Sequence, residues 1–470
     1  MKKVYLILLS ALLSLAARSQ EERVPDSIAV DTLSEVIVSG FELGRSSFKS
    51  SFVVAQLRMN NADRYNKTSL VNGFNTIAGV RMEERSPGSY RINVRGSSLR
   101  SPFGVRNIKI YWNGIPITDP GGNTYFNQFA LNNFSSIEIF KGPAGSLYGA
   151  GTGGLVLMQS FENSWKPGVS IEYAGGSFGL HNVFVTAKTG GNNNRSLLTY
   201  AHNEHDGYRI QSAVRRDNMS WSSLYRLSPR QELMASVLFT NMYYQTPGGL
   251  TKTEFDNNPK AARPAAGGFP GAVQAKAAIY QKNLLAGIQH RYKIDTHWSN
   301  TTALYVAYAQ IKNPTVRNYE RRSEPHAGGR TSFSWEKETA QSVIKIVAGG
   351  ELQEGFFNTK VFQNRQGVSD TLQTDDDIRF HTYNVFAQAD LSIADNWFIT
   401  AGTSVNNSKV EFTRLNQYPL RVQSRTYRTE WAPRISILKN FHENTSVFAI
   451  VSKGFSPPTL AELLPSTSNI

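Results

Sequence analysis

From about residue 168 onward, polar and apolar residues alternate in one short run after another, roughly thirteen in all. In residues 380–393 one face carries Tyr383, Val385, Ala387, Ala389, Leu391 and Ile393. The other carries Thr382, Asn384, Gln388, Asp390 and Ser392, with Phe386 as the exception on the polar side. The next run opposes Trp397, Ile399, Ala401 and Val405 to Thr400, Gly402, Ser404 and Asn406. A period of two is that of a strand whose faces meet different surroundings, and a wall between lipid and a polar lumen requires it. Short links recur at 191–194, 228–230, 295–297, 394–395 and 442–444. Long polar links lie between them, near 203–218, 245–277, 313–328, 361–378 and 415–424. A soluble sandwich would also alternate in polarity, but it has no reason to alternate its loop lengths, so the pattern favours a membrane barrel. Residues 40–160 differ, mixing short helical and strand signals with glycine-rich turns.

Composition sharpens this picture. Glycine (37), phenylalanine (26) and tyrosine (20) are plentiful, charged residues make up 18 %, and cysteine is absent. The chain therefore has no disulfide, no thiolate metal site and no cysteine for lipid attachment. Lys2 and Lys3, the apolar run 4–15 and the small residues Ala16, Ala17 and Ser19 read as a secretory signal peptide over 1–19. That apolar run is too short to span a bilayer, and no later segment has the eighteen or so uninterrupted apolar residues of a membrane helix. Removing Lys2, Lys3 and Arg18 would take the formal charge from +14 to +11. The basic residues are scattered through polar loops without a basic helix, which favours attraction to anionic lipopolysaccharide or an anionic ligand over nucleic acid.

About thirteen strands is an odd number, whereas single-chain bacterial barrels close with an even one. The chain also ends in Pro-Ser-Thr-Ser-Asn-Ile, without a strand pattern. Either the count is off by one or the sequence is part of a longer barrel, and the second reading is preferred, because open edges in lipid are very costly.

Asp31 to Gly40 reads DTLSEVIVSG, a short β-prone run in a polar tail that suits strand addition to a partner's sheet edge. Its context is more specific. Residues 70–122 contain the element Ile-Asn-Val-Arg-Gly at 92–96, and residues 137–158 read IEIFKGPAGSLYGAGTGGLVLM. Together these resemble the plug domain of TonB-dependent outer-membrane receptors, and the run before them resembles the TonB box. Asp206, Gly207, Tyr208 and Arg209 are similar to the family's DGYR segment, and 454–463 to a segment well before the family's C-terminus. One departure is Asn113, where many members have Asp before Gly114; either residue serves the turn.

The resemblance implies a mainly β fold: an α+β plug inside an antiparallel transmembrane β-barrel of about 22 strands, of which about thirteen are present. It also implies a division into signal peptide (1–19), periplasmic tail with box (20–40), plug (41–162) and the N-terminal part of the barrel (165–470). The box would be Leu33, Ser34, Glu35, Val36, Ile37, Val38 and Ser39, gripped by TonB and its inner-membrane energising partners. Arg95, Gly96, Gly114, Pro116, Gly142, Tyr148 and Gly149 carry the plug motifs. Ligand contacts are expected at Ser97, Arg100, Arg106, Asn123 and Tyr125. Arginines there could pair with an anionic chelate, although Arg95 reads better as a buried ion pair between plug and wall. Tyr125 and Phe126 could face ligand or serve as packing.

Other motifs read as structural. Gly149, Gly151 and Gly154 spell G-x-G-x-x-G but precede a strand-like run, so they suit tight turns. His202 and His205 lack a third ligand, and Asp375, Asp376 and Asp377 lack the spacing of a calcium loop, so both groups read as solvated. No hydrolase, metalloprotease or phosphate-binding motif is present, and the reading calls for no cofactor, metal or catalytic group. About a dozen residues between cleavage site and box leave no room for a signalling domain. The expectation is a monomeric importer of a ferric siderophore or ferric citrate-like chelate in the outer membrane, with an N-terminus in the periplasm. Cobalamin or another metal complex is the close alternative, and a non-transporting surface binding protein or adhesin is the alternative of a different class.

Overall fold

The computed structural model describes residues 37–457 apart from 39, 43, 60–67, 87, 98–103, 163, 192 and 443–444. The signal-peptide reading, Arg100, and Leu33, Ser34, Glu35, Val36 and Ser39 of the box lie outside the described residues.

Nine strands precede residue 160: β1 (Ile37–Val38), β2 (Arg45–Ser46), β3 (Val54–Arg58), β4 (Val80–Glu84), β5 (Tyr90–Val94), β6 (Ile108–Trp112), β7 (Ile115–Pro116), β8 (Ser136–Lys141) and β9 (Gly154–Gln159). With the short helices α1 (Val71–Asn75) and α2 (Gly145–Tyr148) they form the plug. Its centre is a five-stranded sheet in the order β3-β8-β9-β6-β7, in which β6 and β9 run parallel. All five residues of β6 are buried, as a central strand covered on both faces must be. The core gathers Trp112, Phe126, Phe129, Ile110, Ile137 and Met158, and the inward Leu238, Leu285 and Tyr305 of the surrounding sheet pack against it.

That surrounding sheet is a chain of antiparallel neighbours: β10 (Gly168–Gly176), β11 (Leu180–Gly190), β12 (Asn194–His205), β13 (Val214–Ser228), β14 (Gln231–Gln245), β15 (Ala278–Lys293), β16 (Trp298–Pro314), β17 (Asn318–Glu338), β18 (Ser342–Arg365), β19 (Val368–Ile393), β20 (Trp397–Arg414), β23 (Arg434–His442) and β24 (Thr445–Ser452). Two short strands, β21 (Val422–Thr426) and β22 (Glu430–Trp431), pair with β20 alongside β23. The path thus has thirteen members, as the alternation predicts, and fifteen with the short ones. Among the described residues β10 and β24 are not paired with each other, so the sheet wraps the plug without closing.

The alternation resolves into an inside and an outside. Val385, Ala387 and Ala389 point outward, while Asn384, Phe386, Gln388 and Asp390 are buried against the plug. Phe386, the exception in the pattern, is explained by this: its ring lies under the Arg330 guanidinium, 4.3 Å away, and joins Tyr148 and Leu147 of the plug. An outward apolar band results, edged by aromatic residues such as Tyr200, Tyr308 and Tyr383 towards one end and Trp298 and Trp397 towards the other.

Two loop expectations are corrected. Residues 313–328 and 361–378 are mostly strand: β16 and β17 meet across 315–317, and β18 and β19 across the two-residue turn 366–367. β17, β18 and β19 are 21, 24 and 26 residues long, well beyond the roughly ten that span a bilayer, so their polar ends rise past the membrane as paired hairpins. The aspartates 375–377 belong to this extension of β19. Asp375 pairs with Lys360 at 3.0 Å and Asp376 takes a two-pronged bond from Arg414. The long connection is 246–277, which carries α3 (Lys252–Asn257) and is tied down by Arg209 of the DGYR segment, donating twice to the Ala261 carbonyl.

Candidate functional site

The plug is held to the wall by buried polar contacts. Asn113 and Gly114 form the two-residue turn between β6 and β7, both at positive φ, a conformation that suits Asn-Gly in a hairpin. Asn113 is also a hub. Its amide donates to the hydroxyls of Ser160, Ser222 and Ser236, joining the plug to β13 and β14, and its carbonyl accepts from Ser160 N. Here Asn does more than replace Asp in a turn, because a buried carboxylate would bring a charge into this uncharged serine cluster. A Cβ on Gly149 would lie 2.6 Å from the Asn384 amide, so the wall approaches the plug backbone where only glycine fits.

Deeper in the same seam, Lys109 of the wholly buried β6 meets Glu351 of β18 at 2.8 Å. Tyr111 donates to the same carboxylate at 2.6 Å, and Arg330 lies 3.8 Å from it while donating to the Leu147 carbonyl. Glu351→Ala would leave two cations and a phenol facing a void. We expect a loss of about 3–5 kcal/mol in plug stability, read from denaturant unfolding of the purified protein. A loss below about 1 kcal/mol would show that the cluster does not hold the plug.

Above this seam, at the end of the sheet that carries 206–213, 246–277 and 415–421, lies a cavity of about 500 Å³ walled by plug and sheet together. The plug contributes the turn 119–124, in which Asp119 accepts from Asn123 N and Thr118 bonds Thr124. Arg106, Asn123 and Tyr125 line it with Asp119. The sheet contributes Glu320, Arg322 and Glu324 from β17 and Phe357 and Thr359 from β18. Tyr125 donates to Glu324 at 2.6 Å, and Arg322 lies 3.6 Å from Glu324 and 3.9 Å from Glu320. Burial, reinforced by the Glu324 charge, lifts the Asp119 carboxyl to about 7. Burial and the same neighbour hold the Tyr125 phenol well above its ordinary value. Thr359 Oγ1, Asn127 Oδ1 and Glu324 Oε1 have no hydrogen-bond partner among the described residues and can serve a ligand.

Three expected ligand residues, Arg106, Asn123 and Tyr125, are therefore brought together. Ser97 is not: its hydroxyl accepts from Val94 N and its carbonyl from Asn107 in the turn after β5. The Arg95 ion pair is corrected. Arg95 takes a left-handed conformation (φ 49°) beside Gly96, its side chain is exposed, and it donates to the Lys141 carbonyl of the plug itself. Gly142 makes a plug turn through its N–H to Gly153, and Pro116 sits on the edge strand β7, where a missing donor is tolerated. Phe126 packs in the plug core, 5.5 Å from Phe74. His202 bonds Asp217 on the outer face, and His205 lies on the opposite face of β12. The sequence reading missed Asp119, Glu320, Arg322, Glu324 and Thr359.

At the other functional end, Ile37–Val38 of the expected box form β1, paired antiparallel with β2. Three residues on, Phe41 is buried among Phe52, Phe140 and Tyr148, and its N–H donates to the Tyr148 hydroxyl at 2.9 Å. Arg434 of the wall stacks on Phe52 at 3.6 Å and donates to the Ser51 carbonyl.

Comparison with known proteins agrees with this architecture. The model of the TonB-dependent receptor plug domain matches residues 47–156, and that of the TonB-dependent receptor-like β-barrel matches 142–470. The ferric citrate transporter FecA in unliganded form is similar with a TM-score of 0.75 and 16 % identity, over 88 % of this chain and 64 % of that one. The ferric-catecholate import receptor Fiu from E. coli K12, in its open form, gives 0.69 and 14 %, over 88 % and 71 %. The ferric yersiniabactin uptake receptor FyuA from Yersinia pestis gives 0.67 and 12 %, over 87 % and 65 %. At these identities the likeness is one of fold, and the chain spans about two thirds of the length of these receptors. Plug, surrounding sheet and the family models that cover them agree: the chain belongs to the family of TonB-dependent receptors.

Proposed function

We propose that the chain serves TonB-dependent active import, across the outer membrane, of a ferric siderophore or ferric citrate-like chelate. The observation that carries this reading is the cavity shared by plug and wall. A ligand there touches the plug turn 119–125, and the Tyr125–Glu324 bond links that turn to β17. Binding is thus coupled to the one element that must move for passage. The family consists of transport receptors rather than enzymes, and the similar solved structures are named for ferric citrate, ferric catecholate and ferric yersiniabactin.

The outer membrane holds no nucleotide pool, so uphill import needs energy from elsewhere. TonB, driven by its inner-membrane partners, would grip the box at 33–39 from the periplasm and pull on the segment that Phe41 anchors. The cavity is not a plain anion site, since Arg106 and Arg322 face Asp119, Glu320 and Glu324. A chelate that offers hydroxyl or amine donors as well as carboxylates matches it. The test is uptake by a strain lacking this protein, given ferric siderophores, ferric citrate and cobalamin in parallel. Loss of iron uptake from one chelate class is expected. Loss of cobalamin uptake alone would transfer the reading to that ligand, and no loss with any of them would overturn import.

A further inference from the structure

The outer face of the sheet carries a feature that import does not use. Beyond the apolar band, towards the end with the longer connections, cross-strand register sets Arg215 opposite Tyr243, Tyr243 opposite Tyr280, Tyr280 opposite Lys312, Lys312 opposite Arg321 and Arg321 opposite Lys360. Residues paired across a ladder share a face, so these six side chains form one row over β13–β18. Lys282 stands one step nearer the band, opposite Asn241 and Gln310. The next step is apolar, with Phe239, Leu284 and Tyr308 in register.

Like charges set directly opposite each other repel, and Lys312, Arg321 and Lys360 are three in succession. The ends of the row are neutralised: Arg215 lies 3.6 Å from Asp217, and Lys360 pairs with Asp375. The middle is not. Lys282 and Lys312 are exposed and have no ion-pair partner among the described residues, and β14, β15 and β16 carry no acidic residue on the outward face at this level. Between the strands lies an open groove of about 450 Å³ lined by Arg215, Tyr243, Tyr280, Lys282 and Lys312, with the Asp217 carboxylate at its β13 side, where it is engaged by Arg215 and His202.

We propose that this groove binds the phosphorylated headgroup of an outer-leaflet glycolipid. Charge alone would accept any polyanion. The continuity of the groove with the lipid-facing band selects a molecule whose phosphates reach Lys282 and Lys312 while its acyl chains lie on Phe239 and Leu284. The tyrosines between the cations suit the interface, with apolar ring below and hydroxyl above.

The experiment uses the full chain extracted from outer membranes into neutral detergent, with bis-phosphorylated lipid A as the probe and bound lipid counted by native mass spectrometry. Lipid A should be retained, and its dephosphorylated form should not. Each lysine near an anionic headgroup contributes enough that K282Q/K312Q should weaken binding about tenfold or more. K337Q, an exposed lysine at the opposite end of β17, should change nothing. Millimolar inorganic phosphate should fail to displace the lipid. Unchanged binding in K282Q/K312Q, an equal loss in K337Q, retention of the dephosphorylated form or displacement by phosphate alone would each overturn the proposal.

Discussion

Deleting residues 33–39 is expected to abolish uptake of the chelate while its binding at the cell surface stays within about twofold of the intact protein. The separation follows from where the parts lie. The cavity is built from the turn 119–124, Arg106, Tyr125 and strands β17 and β18, and among the described residues none before Gly88 lines it. The box instead contains β1 and runs directly on to Phe41, held by the Tyr148 hydroxyl and the rings of Phe52 and Phe140. Removing the box therefore leaves every ligand contact in place and removes the handle. Strand addition needs a backbone edge, so single side-chain changes within the box should do less than its deletion. Radiolabelled ferric chelate, measured as surface-bound and internalised fractions in the same cells, separates the two effects. Retained uptake in the deletion would show that energy enters elsewhere.

The fold was legible wherever one face of a strand meets lipid and the other the plug. There the period of two is imposed by two unlike surroundings, and residues 380–393 of β19 and the first half of β20 read off the sequence almost residue by residue. Legibility failed where strands leave the membrane. In the upper parts of β17 and β19 both faces meet water or polar neighbours, so Asn318–Ser323 and Ser369–Asp377 carry no hydrophobic period and resemble loops. That misreading also hid the site. Glu320, Arg322 and Glu324 are spaced by two and share the inward face of β17, a charged stripe that has meaning only once the segment is known to be a strand. The plug half of the candidate cavity was legible because its motif glycines and turns are specific, which is why sequence named its lining residues Arg106, Asn123 and Tyr125 but not their neighbours on the wall. Arg95 failed for another reason: sequence marks a charged residue in a motif, but only the left-handed turn at Arg95 and Gly96 decides which way it points.

A disulfide between positions 51 and 436 is expected to stop import as completely as removal of the box, and reversibly. The Ser51 and Ser436 hydroxyls lie 2.6 Å apart, both buried, one on the plug segment beside Phe52 and the other on β23 of the wall. The chain has no cysteine, so S51C/S436C introduces a single possible pair. Each single change gives up one hydroxyl–hydroxyl bond, about 1 kcal/mol, and should transport nearly normally. Once oxidised, the pair ties the residues just after Phe41 to the wall. A pull transmitted through Phe41, Phe52 and Tyr148 would then load β23 instead of rearranging the plug. The cavity is untouched, so chelate binding should persist, and a reductant should restore uptake to the level of the single variants. Full uptake by the oxidised double variant, with the cross-link verified by peptide mass, would mean that the path opens without moving the segment near Ser51. In that case the ligand passes through a local rearrangement nearer the turn 119–124, and the Tyr125–Glu324 contact becomes the joint that must break.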